Sequence, residues 1–206
     1  MNNFENQRKH LNSWGVATFD DLPKEYFDWL FNNISKNDPK NSTLAGHIKE
    51  EYSYYNWPKE FEEWLIDKAQ SNQPLMNYCN SVSVLSENLP FYIDSLWVNL
   101  QKKYEFNPLH DHTGIWSFII PIQIPYKLED EDVVFPKTSY KTPCASRLVF
   151  TIIEALGKIL TIEVNMDQSY IGKVLMFPSR LQHMVYPFYT SDEYRITVSG
   201  NIALKV

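Results

Sequence analysis

The spacing of apolar residues changes near residue 90 of this 206-residue chain. Before that point, apolar side chains recur every three or four positions, which is the period of an amphipathic helix. A first helix is predicted to begin at the acidic segment 20–23, which includes a proline, and to end at 37–39. Two more helices are predicted, from about Pro58 to about Ala69 and from about Leu75 to about Leu85. The pattern therefore predicts a helical portion over residues 1–90.

From Phe91 onward the apolar residues form short alternating or continuous runs, which are typical of strands. Strands are predicted at 92–102, 116–124, 147–153, 158–164, 173–177 and 194–204. No helical pattern separates them, and Ala155-Leu156-Gly157 fits a hairpin turn between two of them. This arrangement favours an antiparallel sandwich or barrel over a parallel sheet. We expect one domain overall, in which the helical portion packs on a β core spanning residues 91–206.

Composition and charge narrow the possible classes of function. The net charge of -6 argues against a general nucleic-acid binder, whose surface would be basic. No apolar run approaches the roughly 20 residues that span a bilayer, so no membrane partner is expected. The polar start is unlike a signal peptide, and two distant cysteines, Cys79 and Cys144, give neither a disulfide framework nor a cysteine metal site. These features predict a soluble protein of the cytoplasm.

Three of the five histidines fall in two motifs at the ends of predicted strands. His110 and His112 are two residues apart on an extended segment, so their side chains share a face and Asp111 points the other way. His183 follows the predicted strand at 173–177. Two histidines with a third N or O ligand suit a non-haem Fe(II) site. Taken alone, the pair would fit surface loop histidines equally well, and we interpret His47 and His10 as structural or exposed.

An arginine twelve residues after His183 strengthens the metal-site hypothesis. Arg195, Thr197 and Ser199 share one face of a predicted strand, because side chains alternate. A guanidinium holds a carboxylate through two parallel hydrogen bonds, and nearby hydroxyls add donors. A lone arginine in a strand is more often a surface residue. Here a dicarboxylate co-substrate that chelates iron at one end would reach this arginine at the other.

In these motifs the sequence resembles the 2-oxoglutarate/Fe(II)-dependent oxygenases, most of all small members from bacteria and tailed phages. The matching segments are 107–114 followed by 116–120, 177–183 with Pro187, 195–201, and the upstream 44–48. The likeness covers about Trp97 to Leu204 and, weakly, the helical part. It implies a double-stranded β-helix, a jelly-roll-like barrel with N-terminal helices packed on one sheet. A phage-encoded protein in the host cytoplasm would fit this resemblance.

The resemblance also implies cofactors and roles for named residues. Fe(II) would be held by His110, by the residue two positions further on, and by His183, and O2 would be the oxidant. The co-substrate 2-oxoglutarate would be held by Arg195 together with Thr197 or Ser199. Its decarboxylation would give succinate and CO2 while an unknown substrate, a small molecule or a protein side chain, is hydroxylated. Asn99 and Gln101 would contact the keto acid, unless their strand face is solvated.

One position departs from the pattern of this superfamily. The second ligand is usually Asp or Glu, and this chain has His112 there. Either the site has three histidines, or Asp111 turns inward through a local bulge. Strand geometry favours His112, because residues two apart share a face.

Two other classes of protein stay open at this point. A cupin-type metalloenzyme has a similar barrel and histidine pair, but it expects a glutamate soon after the second histidine, and 113–120 has no acidic residue. A jelly-roll binding or structural module would explain the aromatic content without needing His183 and Arg195 together.

The long stretch from Pro125 to Ser146 separates two predicted strands and carries the acidic run 129–132. A loop of this length in a compact domain is usually functional or disordered. Since it follows the strand after the histidine pair, it is expected to be either a lid over the metal or an inert insertion. We predict that it flanks the site entrance and is the most mobile internal segment.

Overall fold

The protein is described by a computed structural model that covers residues 2–19, 21–37, 45–81, 90–135 and 144–205. The helices in these ranges are α1 (Asn3–Ser13), α2 (Lys24–Asn32), α3 (Lys59–Gln70), α4 (Gln73–Ser81) and α5 (Leu128–Glu131). The strands are β1 (Ala17–Phe19), β2 (Glu51–Ser53), β3 (Phe91–Gln101), β4 (Asn107–His110), β5 (Trp116–Gln123), β6 (Leu148–Ile153), β7 (Ile159–Val164), β8 (Val174–Pro178), β9 (Gln182–Val185) and β10 (Arg195–Leu204).

The described strands form two antiparallel sheets. The larger has the order β1-β8-β5-β10-β3-β2, and the smaller has the order β4-β9-β6-β7. The prediction of a mainly β, antiparallel fold with helices is thus confirmed. Every predicted strand is present within about two residues of its expected bounds, because short β-branched and aromatic runs are strong local signals.

The side-chain alternation of the large sheet creates two different faces. Leu96, Val98 and Leu100 of β3 point to one core cluster, which also contains Leu30 of α2 and Phe61 of α3. Helices α2 to α4 therefore cover this face. A second cluster joins residues of both sheets, including Ile119 and Phe177 from the large sheet and Phe150 and Ile162 from the small one. The two sheets consequently pack face to face.

Three features of the first ninety residues differ from the sequence prediction. Helix α1 was not predicted, because its sequence is largely polar and only Phe4 and Leu11 are buried. Gln7 fixes it to the sheet by donating to the Glu163 carbonyl and accepting from the Asn165 N–H. Strands β1 and β2 pair with β8 and β3, although three residues are too short for a periodic signal. The predicted end of the third helix beyond residue 81 lies outside the described residues.

The segment from Pro125 to Ser146 contains more structure than an open loop. It forms α5, and the Glu131 side chain is fully buried. Its carboxylate accepts the backbone N–H groups of Tyr189 and Thr190 at 3.0 and 2.8 Å. The acidic run 129–132 therefore does not lie wholly in solvent, because Glu131 is buried. Residues 136–143 lie outside the described part, so the predicted mobility stays a prediction.

Among the described helices, none has the length and apolar character needed to cross a membrane.

Candidate metal centre and co-substrate pocket

A cavity of about 180 Å³ lies between the two sheets. The large sheet contributes the β3 and β10 faces opposite the helices, including Asn99, Gln101 and Arg195. The small sheet contributes His110 and His183. The same cavity is thus lined by nearly all of the residues that the sequence singled out.

The three predicted histidines come together at this cavity. His110 at the end of β4 pairs in register with His183 of β9. His112 follows β4, and its backbone N–H donates to the Ser179 carbonyl at 2.9 Å. One nitrogen from each imidazole lies within 4.8 Å of the other two. The cluster therefore has the compactness that binding of one metal ion requires.

A glycine allows the chain to leave this cluster. Gly114 has a φ of +93°, a conformation that residues with a Cβ rarely adopt. A Cβ at this position would also lie 2.8 Å from the Ile202 carbonyl oxygen of β10. The close approach holds the segment after His112 against the large sheet.

Hydrogen bonds fix which nitrogen of two rings is available. Nδ1 of His110 lies 2.6 Å from the Pro108 carbonyl oxygen, and Nδ1 of His183 lies 2.9 Å from that of Leu181. A carbonyl only accepts, so each Nδ1 carries the proton. The Nε2 atoms then keep their lone pairs, which is how metal-ligating histidines are usually oriented.

Burial keeps the imidazoles neutral near pH 7. It lowers the pKa of His183 to about 3 and that of His112 to about 4, with a smaller lowering by the neighbouring histidines. The pKa of His110 is lowered as well, again mainly by burial. Neutral imidazoles are the form that binds metal ions.

Asp111, the alternative second ligand, lies outside this cluster. Its carboxylate accepts a hydrogen bond from Gln182 Nε2 at 3.0 Å and lies 3.7 Å from Arg180 Nη1. The structure thus places His112, and not Asp111, beside the other two imidazoles, because alternate residues of the extended segment point to opposite sides.

Arg195 is buried at the same cavity, as its strand position predicted, with 3% of its surface exposed. Its Nε and Nη2 both donate to Gln101 Oε1, at 3.0 and 2.7 Å. Nη1 donates to the Tyr126 hydroxyl and the Ser146 carbonyl, and Nη2 also donates to the Tyr186 carbonyl. Within the described part of the chain, the acceptors of this guanidinium are all neutral oxygens. Together these neutral oxygens accept hydrogen bonds from all five N–H groups of the guanidinium.

The other predicted co-substrate residues lie in one row beside Arg195. Thr197 pairs with Asn99, and Ser199 pairs with Trp97, across β10 and β3. All four line the cavity. The Oδ1 atom of Asn99 is buried and has no hydrogen-bond partner among the described residues.

Comparison with known proteins agrees with this geometry. A family model described as "Putative 2OG-Fe(II) oxygenase" matches residues 95–201, which is more than half of the chain. The chain belongs to this 2OG-Fe(II) oxygenase family. It is therefore an oxidoreductase, and the family as a whole uses Fe(II), 2-oxoglutarate and O2. No curated protein matches the sequence.

Solved structures show the same fold for this oxygenase at low sequence identity. A prolyl-4-hydroxylase from Pseudomonas putida is 14% identical with a TM-score of 0.56, and the match covers 96% of this chain and 97% of that one. A 2OG-Fe(II) oxygenase family oxidoreductase from Burkholderia pseudomallei is 9% identical with a TM-score of 0.51, covering 98% and 90%. At such identities the likeness concerns the fold.

Several cavity residues of the oxygenase were not found from its sequence. Gly46, Glu51 and Asn107 line the cavity, and Tyr126 and Ser146 contact Arg195 from the two ends of the long inter-strand segment. Glu51 belongs to β2, which is too short to be predicted from the sequence, and Tyr126 is not part of a recognisable motif. Gly46 and Asn107 lie in the segments 44–48 and 107–114 that carry the resemblance, but neither residue was assigned to the site.

Proposed function

We propose that this oxygenase uses Fe(II) and 2-oxoglutarate to hydroxylate a substrate that is still unknown, a small molecule or a protein side chain. We further propose that its two sheets form the double-stranded β-helix of the superfamily. The observation that carries the proposal is that three neutral imidazoles and a buried arginine line one cavity. The imidazoles would bind the metal ion and the arginine would bind the dicarboxylate, so both groups are needed in one cavity.

The donor set of the cluster fits Fe(II). Imidazole nitrogens are suitable ligands for iron, zinc, copper and nickel, and three ligands leave positions open for co-substrate and O2. His110, His112 and His183 would hold the ion. A cluster without a carboxylate leaves the bound ion with its full positive charge, which favours an anionic co-substrate beside it.

Arg195 would hold the distal carboxylate of 2-oxoglutarate, with Asn99, Thr197 and Ser199 beside the chain of the keto acid. The Nε and Nη2 edge of the guanidinium is the edge that grips a carboxylate, and Gln101 Oε1 occupies it. The Gln101 side chain therefore has to turn aside when the co-substrate binds. With Fe(II) and 2-oxoglutarate bound, O2 would be the oxidant: one of its oxygen atoms would enter the substrate as the hydroxyl group, and the other would enter the keto acid as it becomes succinate and CO2.

The test is an anaerobic titration of the protein with Fe(II) and then with 2-oxoglutarate. Wild-type protein should bind one Fe(II) and develop the charge-transfer absorbance of a chelated keto acid. His110→Ala and His183→Ala should each weaken Fe(II) binding by about a hundredfold or more, since each removes one of three ligands.

His10→Ala is the matched control, because His10 is exposed on α1 and lies outside the cluster. It should bind Fe(II) as wild type does. Equal Fe(II) affinity in wild type and both cluster variants would show that the metal centre lies elsewhere. A screen for succinate release over candidate substrates then identifies the reaction.

A further inference from the structure

A second polar region of the cavity lies on the side of the edge strand β2. It consists of Glu51 on β2, Asn99 on β3 and Asn107 at the start of β4, and we refer to these three residues as the acceptor cluster. Glu51 pairs with Asn99 in the sheet. Two strands and two residues separate Glu51 from Arg195, so their Cα atoms are roughly 12 Å apart by ordinary sheet geometry.

The oxygen atoms of this cluster lie close to one another. A Cβ built on Gly46 would clash with Asn107 Oδ1 and would lie 2.8 Å from Glu51 Oε1. The amide oxygen and the carboxylate oxygen are therefore neighbours around the same glycine. The absence of a side chain at Gly46 makes room for these two oxygens.

Two of these oxygens are unsatisfied hydrogen-bond acceptors among the described residues. Oδ1 of Asn99 and Oδ1 of Asn107 are buried and, in the described part of the chain, have no hydrogen-bond partner. Asn99 is only 8% exposed, and it lines the cavity. A buried acceptor without a donor costs about 1–3 kcal/mol, so a ligand that supplies N–H groups would recover this free energy.

The charge of the cluster is negative. Glu51 is 1% exposed, and burial, with Glu105 nearby, raises the pKa of its carboxyl to about 7. At slightly alkaline pH a carboxylate therefore faces the cavity. At the other end of the cavity, Arg195 is positive.

The co-substrate does not suit the acceptor cluster. Asn99 has amide N–H groups for the keto acid, but the oxygens of 2-oxoglutarate are all acceptors when the acid is ionised. They therefore cannot pair with Oδ1 of Asn99 or of Asn107, and its carboxylates would be repelled by Glu51. The group that fits must donate hydrogen bonds and carry positive charge. We propose that the acceptor cluster binds a cationic N–H group of the substrate, an alkylammonium or a guanidinium. This inference rests on the proposed function, since it assigns the substrate side of the same cavity.

The experiment compares two probes of the same shape, n-butylguanidinium and the neutral n-butylurea. Their binding to the full-length, metal-free protein is measured by ligand-detected NMR at pH 8. Wild-type protein should prefer the guanidinium by about tenfold or more. Glu51→Gln should abolish this preference, and Gly46→Ala should weaken it without any change of charge, because the new methyl group contacts both oxygens.

Glu50→Gln is the matched control for the loss of one negative charge. Glu50 is the neighbouring residue, but its carboxylate binds Lys36 and the Tyr194 hydroxyl, and it does not line the cavity. This variant should keep the preference for the guanidinium. Equal binding of the two probes to wild type, or a preference that survives in Glu51→Gln, would overturn the inference.

The result is separable from that of the proposed function, because the probes are tested without metal or 2-oxoglutarate. A protein that fails to bind Fe(II) but prefers the guanidinium refutes the proposed function and keeps the cation site. A protein that binds Fe(II) and 2-oxoglutarate but shows no such preference refutes the cation site alone.

Discussion

Two kinds of basic side chain face the same cavity, and burial affects them in opposite ways. The imidazoles of the histidine cluster lose their protons, so that they stay neutral and offer lone pairs. For the Arg195 guanidinium, the fold instead surrounds all five N–H groups with neutral oxygens. Basic residues that line one cavity are thus neutral where we propose a metal centre and charged where we propose an anion site.

The difference shows why residue type matters more than charge in such a cavity. A histidine adapts to a dry environment by changing its protonation state. An arginine adapts only if other residues supply acceptors, which here come from β3, from both ends of the segment after β5 and from the segment after β9. The histidine cluster is therefore built on two neighbouring strands, β4 and β9. The acceptors of Arg195, in contrast, come from four separate places in the chain.

The largest effect that we expect comes from acid on the metal-free protein. Unfolded histidines take up protons below about pH 6.5, while folded His112 and His183 do so only near pH 4 and 3. Because the unfolded chain binds more protons in this window, stability is lost as pH falls through it. The two residues together should lower the free energy of unfolding by roughly 4 kcal/mol between pH 7.5 and 5. Urea titrations at both pH values measure this change.

The double variant His112→Gln/His183→Gln isolates the contribution of the histidines from that of other titrating groups. Its loss of stability over the same pH range should be smaller than that of wild type by this amount. An identical pH dependence in the two proteins would mean that the cluster is not neutral in the folded state.

The second effect concerns Glu51. Burial favours the neutral form of its carboxyl group, as it favours the neutral form of the histidines. The unfolded Glu51 ionises above about pH 4.5, but the folded one does so only near pH 7. Wild type thus loses stability as pH rises through this window. Glu51→Gln cannot ionise, so at pH 8 it should be more stable by up to about 3 kcal/mol, although it binds the cationic probe less well. Equal urea midpoints at pH 8 and a difference at pH 4 would contradict this expectation.

The third effect tests the anion site. Arg195→Ala should raise the dissociation constant of 2-oxoglutarate by about a hundredfold, which corresponds to about 2.7 kcal/mol, with little change in Fe(II) affinity. The anaerobic charge-transfer titration measures both constants. Arg195→Lys keeps the charge but loses the two-pronged geometry, so it should fall between the alanine variant and wild type. Unchanged affinity in the alanine variant would show that the carboxylate binds elsewhere.

The smallest effect comes from a second buried arginine that serves as the control. Arg147 is 3% exposed, as Arg195 is, but it pairs with the Asp132 carboxylate and donates to Asn165 Oδ1. Its charge is already compensated by an anion of the protein. Since the Asp132 side chain is about a third exposed and can be hydrated, Arg147→Ala should cost only about 2 kcal/mol of stability.

Arg147→Ala should also leave the affinity of the folded protein for 2-oxoglutarate unchanged. Thermal unfolding and the same co-substrate titration check the two halves of this prediction. A loss of co-substrate affinity as large as that of Arg195→Ala would remove the distinction between the two arginines.

The sequence by itself determined which side chains share a strand face. Alternation on β3 and β10 placed Asn99, Gln101 and Arg195 on one side and the core residues on the other, and the structure agrees. The spacing of His110 and His112 likewise placed both imidazoles in one cluster, and Asp111 lies outside that cluster. These are local properties, because the direction of a side chain along a strand follows from the backbone of its own segment.

Tertiary structure alone decided which distant residues complete the site. The pairing of β4 with β9 brings His183 beside His110. The acceptors of Arg195 come from as far apart as Gln101 and Tyr186, and the acceptor cluster depends on the three-residue strand that carries Glu51. Helix α1 is similar, since its polar sequence gives no amphipathic signal and its position depends on contacts with residues 163–165. Such contacts join segments far apart in the chain, and no local period encodes them.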